Sequence, residues 1–247
     1  MTIRITTTRD TRIDLGGVNT RIGAAVRLLQ FGDSLLPVGS FTFSNGIESA
    51  VQLGVVHDAD TLGEFVHAAL QQAAGSDGVA LLAAFRGSTA CDDALIDDAD
   101  HAVFNRKLNE ESRTMTVRMG RKLAEMAAYV IGPCAASSWL ERIRADATPG
   151  CYPIAQALVF CALGLSEQEA FAVHQYGLAS MMTAASLRLM KLHYLDAQVV
   201  LLESNARAED DYRRIAGLSI EDMAVFSPVI DVLAANHVRA TVRMFMN

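Results

Sequence analysis

The sequence predicts an all-α fold, a single compact bundle of roughly ten helices. Three observations carry this. Apolar residues recur at steps of three and four, the chain is punctuated by helix starts and stops, and no stretch alternates apolar and polar with period two. Apolar residues make up 51% of the 247 and charged residues 20%, enough to build a sizeable core. No repeat or linker divides residues 21–247, which read as one domain, while the polar residues 1–20 read as a loose arm.

The elements follow in order. RIGAAVRLLQFG (21–32) reads as a first helix closed by Gly32. Ser44 is positioned to cap a short helix through Leu53, with Gly54 in the left-handed conformation that ends it. Thr61 and Glu64 form a capping box that opens a helix to about Ala74, and Asp77 starts the next. A further helix runs from about Asp93 to Asn109. Within 111–132, Met115, Met119, Leu123, Met126 and Val130 form one apolar stripe, stopped by Gly132-Pro133. Gly120 inside it costs about 1 kcal/mol against Ala, which implies a second backbone passing close by.

The apolar run 153–165 is shorter than the roughly 20 residues that span a bilayer, and reads as a buried helix. Ser166 and Glu169 make a second capping box, followed by a stripe through Phe171, Leu178, Met182, Ala185, Leu189 and Leu192. Ala179, Ala184 and Ala185 are small enough to admit a neighbouring helix. The tail resumes after Pro228 and runs to the end of the chain.

Composition excludes several function classes. A formal charge of −7 argues against nucleic acid, which needs a basic stripe. Cys91, Cys134, Cys151 and Cys161 form no CxxC pair, and with no apolar leader visible they suit reduced thiols in a cytoplasmic, soluble protein. There is no P-loop, no dinucleotide fingerprint, no nucleophile elbow and no HExxH. Asp97, Asp98, Asp100 and His101 are the nearest thing to a ligand cluster. Asp97 and His101 would share a helix face, read either as a weak divalent-metal site with enzymatic potential or as a helix start whose acids favour its dipole. Cys151 beside Tyr152-Pro153 reads as a small apolar residue in a loop, and Arg188 as a snorkelling or ion-paired side chain. This inventory describes a helical binding protein with no catalytic residue and no cofactor.

The most irregular stretch is also the most informative. RLLQFGDSLLPVGSFTFSNGIESAVQLGVV (27–56) resembles the signature of the urease accessory protein UreF family, carried by Leu29, Gln30, Leu36, Pro37, Val38, Gly39, Phe41, Ser44, Gly46, Ile47, Glu48, Ala50 and Val51. SRTMTVRMGRKL is similar to the family's Gly-Arg helix, with Gly120 and Arg121 on the pair. AASLRLMKL is similar to its Ala-x-Arg-Leu stretch, with Arg188 as the arginine, and the tail SPVIDVLAANHVRATVRMF resembles its C-terminal segment, carrying His237, Arg243 and Phe245. The resemblance covers about residues 24–247. Cys151 stands where the family usually has His, Phe43 where Tyr is common, and Val238 follows His237 where Glu is usual.

The resemblance implies an all-helical, non-enzymatic homodimer that links UreD (also called UreH) and the GTPase UreG to apo-urease for nickel insertion. It holds no metal and no cofactor of its own, and works with neither nucleic acid nor membrane. Partner-binding expectations fall on Phe41, Phe43, Ser44, Glu48, Arg121, His237, Arg243 and Phe245. Phe41 and Phe43 either plug the core or anchor a partner, Glu48 either serves its helix dipole or recognises a partner, and Arg121 serves an ion pair or the dimer seam. The departures at Cys151, Phe43 and Val238 motivate a second reading, a helical dimeric regulator that has lost urease partners.

Overall fold

The longest apolar run of the sequence becomes the axis of the fold. In a computed structural model of the chain, it forms a helix whose residues from Pro153 to Phe160 are all buried. Tyr152 and Pro153 open this helix, where proline's missing N–H goes unneeded. The structure describes residues 21–33, 35–40 and 43–224, then Ser227, Val229, Ile230, Val232, Leu233, Met244 and Phe245. The arm over 1–20, Phe41, and most of the tail with His237 and Arg243 lie outside the described residues.

The chain order is α1 (Arg21–Gly32), α2 (Ile47–Gln52), α3 (Ala59–Ala73), a π-helical turn (Ala74–Gly78), α4 (Val79–Ala90), α5 (Asp93–Arg106) and α6 (Glu110–Val130). It continues with α7 (Ala135–Arg144), α8 (Tyr152–Ala162), α9 (Glu167–Leu189), α10 (Tyr194–Ala206), α11 (Ala208–Ile215) and a 3₁₀ turn (Ile220–Asp222). Among the described residues there is no strand, and the all-α expectation holds. No described helix is long and apolar enough to cross a membrane.

Two buried clusters share α9. The larger gathers α4 to α8 and the first half of α9 around Trp139, Leu158 and Phe160. The smaller joins α2, α3 and α10 to the second half of α9, through Ile47, Leu62, Met182 and Val200. Small residues set the spacing. A Cβ on Gly120 of α6 would lie 2.2 Å from the Gly150 carbonyl oxygen and 2.8 Å from Tyr152 N, so this is the close backbone approach that the mid-helix glycine implied.

Several boundaries stand where the sequence put them: Gly32 ends α1, Gly54 adopts φ +71°, Gly132 adopts φ +94°, and Ser166 and Glu169 cap α9 reciprocally. Others move. The cap of α3 is Asp58, whose carboxylate accepts from Thr61 N at 2.8 Å, so Thr61 is the third helical residue and not the cap. Asp77 starts no helix, because the π turn carries the backbone directly from α3 into α4. Asn109 caps α6 and lies beyond the end of α5.

Candidate functional site

The irregular stretch turns the chain between α1 and α2 through residues in the left-handed region. Gly39, Asn45 and Gly46 have φ of +91°, +51° and +84°. Gly46, not Ser44, occupies the cap position of α2. Ser44 still serves that helix, because its Oγ accepts from Glu48 N at 3.4 Å. Phe43 is buried in the larger cluster, so its ring fills core.

Glu48 is 2% exposed, and a carboxylate this deep needs donors. Its Oε1 accepts from the backbone N–H of Met244 at 2.7 Å, and its Oε2 from that of Phe245 at 3.1 Å. Phe245 is 6% exposed, and the Arg188 guanidinium at the end of α9 lies 4.2 Å over its ring centre. Thus the signature stretch, the arginine of α9, and Met244 with Phe245 meet at one place. Met244 and Phe245 are held by their backbone N–H groups, which depend on the carboxylate, and Phe245 also by its buried ring.

Beneath the stretch lies a cavity of about 400 Å³, walled by Val38, Asn45, Met115, Met119, Met181 and Arg188, among others. At its inner side Lys107 Nζ lies 2.7 Å from both carboxylate oxygens of Asp77, which the π turn presents. Buried His174 donates from Nδ1 to the Gln156 amide oxygen at 2.8 Å, and burial holds its imidazole below the ordinary range, hence neutral.

The remaining expectations fall elsewhere. Asp97 pairs with Arg142 Nε at 3.1 Å. The Asp100 carboxylate accepts from Thr148 Oγ1, Gly150 N and Cys151 N at 2.7 to 2.8 Å, and His101 Nε2 faces the Ala147 carbonyl at 3.3 Å. Asp100 is thus a structural clamp on the 148–151 loop and Asp97 is engaged by Arg142, so the metal-enzyme reading of Asp97 and His101 finds no support here. Among the described residues no three His, Cys, Asp or Glu side chains are grouped to hold a metal ion. Cys151 is buried, and burial together with Asp100 pushes its thiol well up, the opposite of an activated nucleophile. Arg121 is exposed on α6 and reaches Glu125 at 3.3 Å. α6 packs on α7 and α8, whereas Glu48 and Phe245 meet on the α2–α9 side. What sequence reasoning missed is the joining of Glu48 to the tail, for which no local signal exists.

Known proteins place this architecture. The UreF family model matches residues 56–205, from the last residue of the signature stretch onward, so that match rests on the helical body. The chain is 51% identical over 222 residues to urease accessory protein UreF 2 of Brucella canis and of Brucella abortus, covering 90% of this chain and 91% of each relative. It is 50% identical over 223 residues to urease accessory protein UreF of Yersinia pseudotuberculosis, covering 97% of that protein. An all-helical body, a signature stretch tied to the chain's end and similarity over nearly the full length agree: this chain belongs to the UreF family of urease accessory proteins, which are not enzymes.

Proposed function

We propose that this chain is a non-enzymatic scaffold that links UreD and the GTPase UreG to apo-urease, so that nickel enters the urease metallocentre. Membership of an accessory family over nine-tenths of the chain supports a service role to urease. The observation that carries the rest is the Glu48 junction, a buried carboxylate holding Met244 and Phe245 by their N–H groups under the Arg188 guanidinium. Met244 and Phe245, fixed by contacts that a partner can reinforce or replace, suit docking.

In this reading Phe43 and Ser44 hold the shape of the docking face from beneath. Glu48 and Phe245 anchor the exposed Met244 there, and Phe41, His237 and Arg243, which lie outside the described residues, are further proposed partner contacts. Arg121 serves a separate surface. The protein works as a homodimer in the cytoplasm, gates the GTP cycle of UreG, and passes nickel onward without a tight site that would trap the ion.

Gel filtration tests this directly. The purified chain should co-elute with UreD from the same source, then recruit UreG, and should hydrolyse no GTP alone. Separate elution of the chain and UreD at gentle salt contradicts the proposal.

A further inference from the structure

Helix α10 leaves three of its five Leu and Val residues exposed. Toward the bundle it presents Ala197, Val200 and Ser204, all buried, and the partly buried Leu201. Outward it presents Leu195, Val199 and Leu202, which are 55%, 52% and 72% exposed, with exposed Ala206 completing the steps of four, three and four. A helix that is apolar on both faces is the pattern of a buried helix, and here one of those faces meets solvent. The stripe runs about 16 Å, three turns of helix. Exposed Asp196 and Glu203, two turns apart, border it on one side, and Gln198 and Asn205 on the other.

We infer that this face is a docking surface for a partner protein's apolar helix bordered by Lys or Arg. The stripe supplies the contact area, and the two acids supply the charge that a basic border complements. The same acids disfavour other occupants. A second copy laid antiparallel along the stripe sets Asp196 of one chain against Glu203 of the other, twice, like charge against like. An anionic lipid surface meets the acidic border in the same way. The inference rests on the scaffold reading only in taking the occupant to be a protein.

The test uses the full chain and two labelled helical peptides of about three turns with one shared leucine stripe, bordered by lysines in one and by glutamates in the other. Fluorescence anisotropy should show the lysine peptide binding about ten-fold more tightly or better. The double variant Val199→Glu/Leu202→Glu should lose that binding while its circular dichroism and melting temperature stay unchanged. The variant Asp196→Lys/Glu203→Lys should reverse the preference toward the glutamate peptide. Equal binding of the two peptides, or binding that survives Val199→Glu/Leu202→Glu, overturns the inference. So does a dimer of the wild-type chain that this variant dissociates in sedimentation. None of these outcomes depends on co-elution with UreD, so the two proposals fail separately.

Discussion

At the scale of single residues, Glu48 has the largest reach, because the two N–H groups it accepts come from residues 196 and 197 positions further along the chain. Glu48→Ala removes both acceptor oxygens and leaves those donors to water. The expected outcome is loss of hydrogen-exchange protection at Met244 and Phe245, with the protection of α4 and α8 unchanged; protection that persists at both tail residues would show the carboxylate to be dispensable. His174 adds a pH dependence. Burial lowers its folded pKa below the ordinary 6.5, so the unfolded chain binds a proton that the folded chain refuses. Its contribution is therefore complete above about 6.5 and is lost as pH falls below that value. Urea midpoints between pH 7.5 and pH 5, a range of about 2.5 units centred near the free histidine value, should fall for the wild type and fall less for His174→Gln.

At the scale of elements, what the sequence showed and what it hid divide by the range of the interaction. Ser166 and Glu169 sit three residues apart and close the start of α9 as their spacing implied. Gly120 announced a close approach, and the Gly150–Tyr152 backbone is there. Gly120→Ala should destabilise the chain by roughly 1–3 kcal/mol or more, read as a lower urea midpoint at unchanged slope, because the nearby atoms are backbone and cannot swing aside. A midpoint unchanged from wild type would mean the two backbones are further apart.

Local signals also compete, and there the reading slips. Asp58 and Thr61 both qualify as caps, and the carboxylate three residues upstream wins. The π turn has no periodic signature of its own. Its glycines admit close neighbours: a Cβ on Gly78 would lie 2.9 Å from Ile215 and Phe171, and one on Gly75 would lie 3.2 Å from the Ala224 carbonyl oxygen. The Glu48 junction was legible only as two separate motifs, since nothing local in either end of the chain records which partner the other folds against. The outward stripe of α10 was equally hidden, because apolar spacing reports a helix and leaves open which face the bundle takes.

At the scale of the whole molecule, Asp97 and Asp100, which the sequence offers as metal ligands, prove to hold structure, and Cys151 is buried as its apolar reading implied. Asp100 clamps a loop, Asp97 pairs with Arg142, and Cys151 is buried with its thiol pushed up. What the outside offers is Met244, exposed where Glu48 holds its N–H, and an unclosed apolar face on α10. The central claim is that urease maturation needs these surfaces and draws no chemistry from the chain itself. Activation of apo-urease by nickel, bicarbonate, GTP, UreD and UreG, measured with and without this chain, tests that most directly. The account predicts urease activity that rises with the amount of chain added up to a fixed stoichiometry, and equal activation in its absence would contradict it.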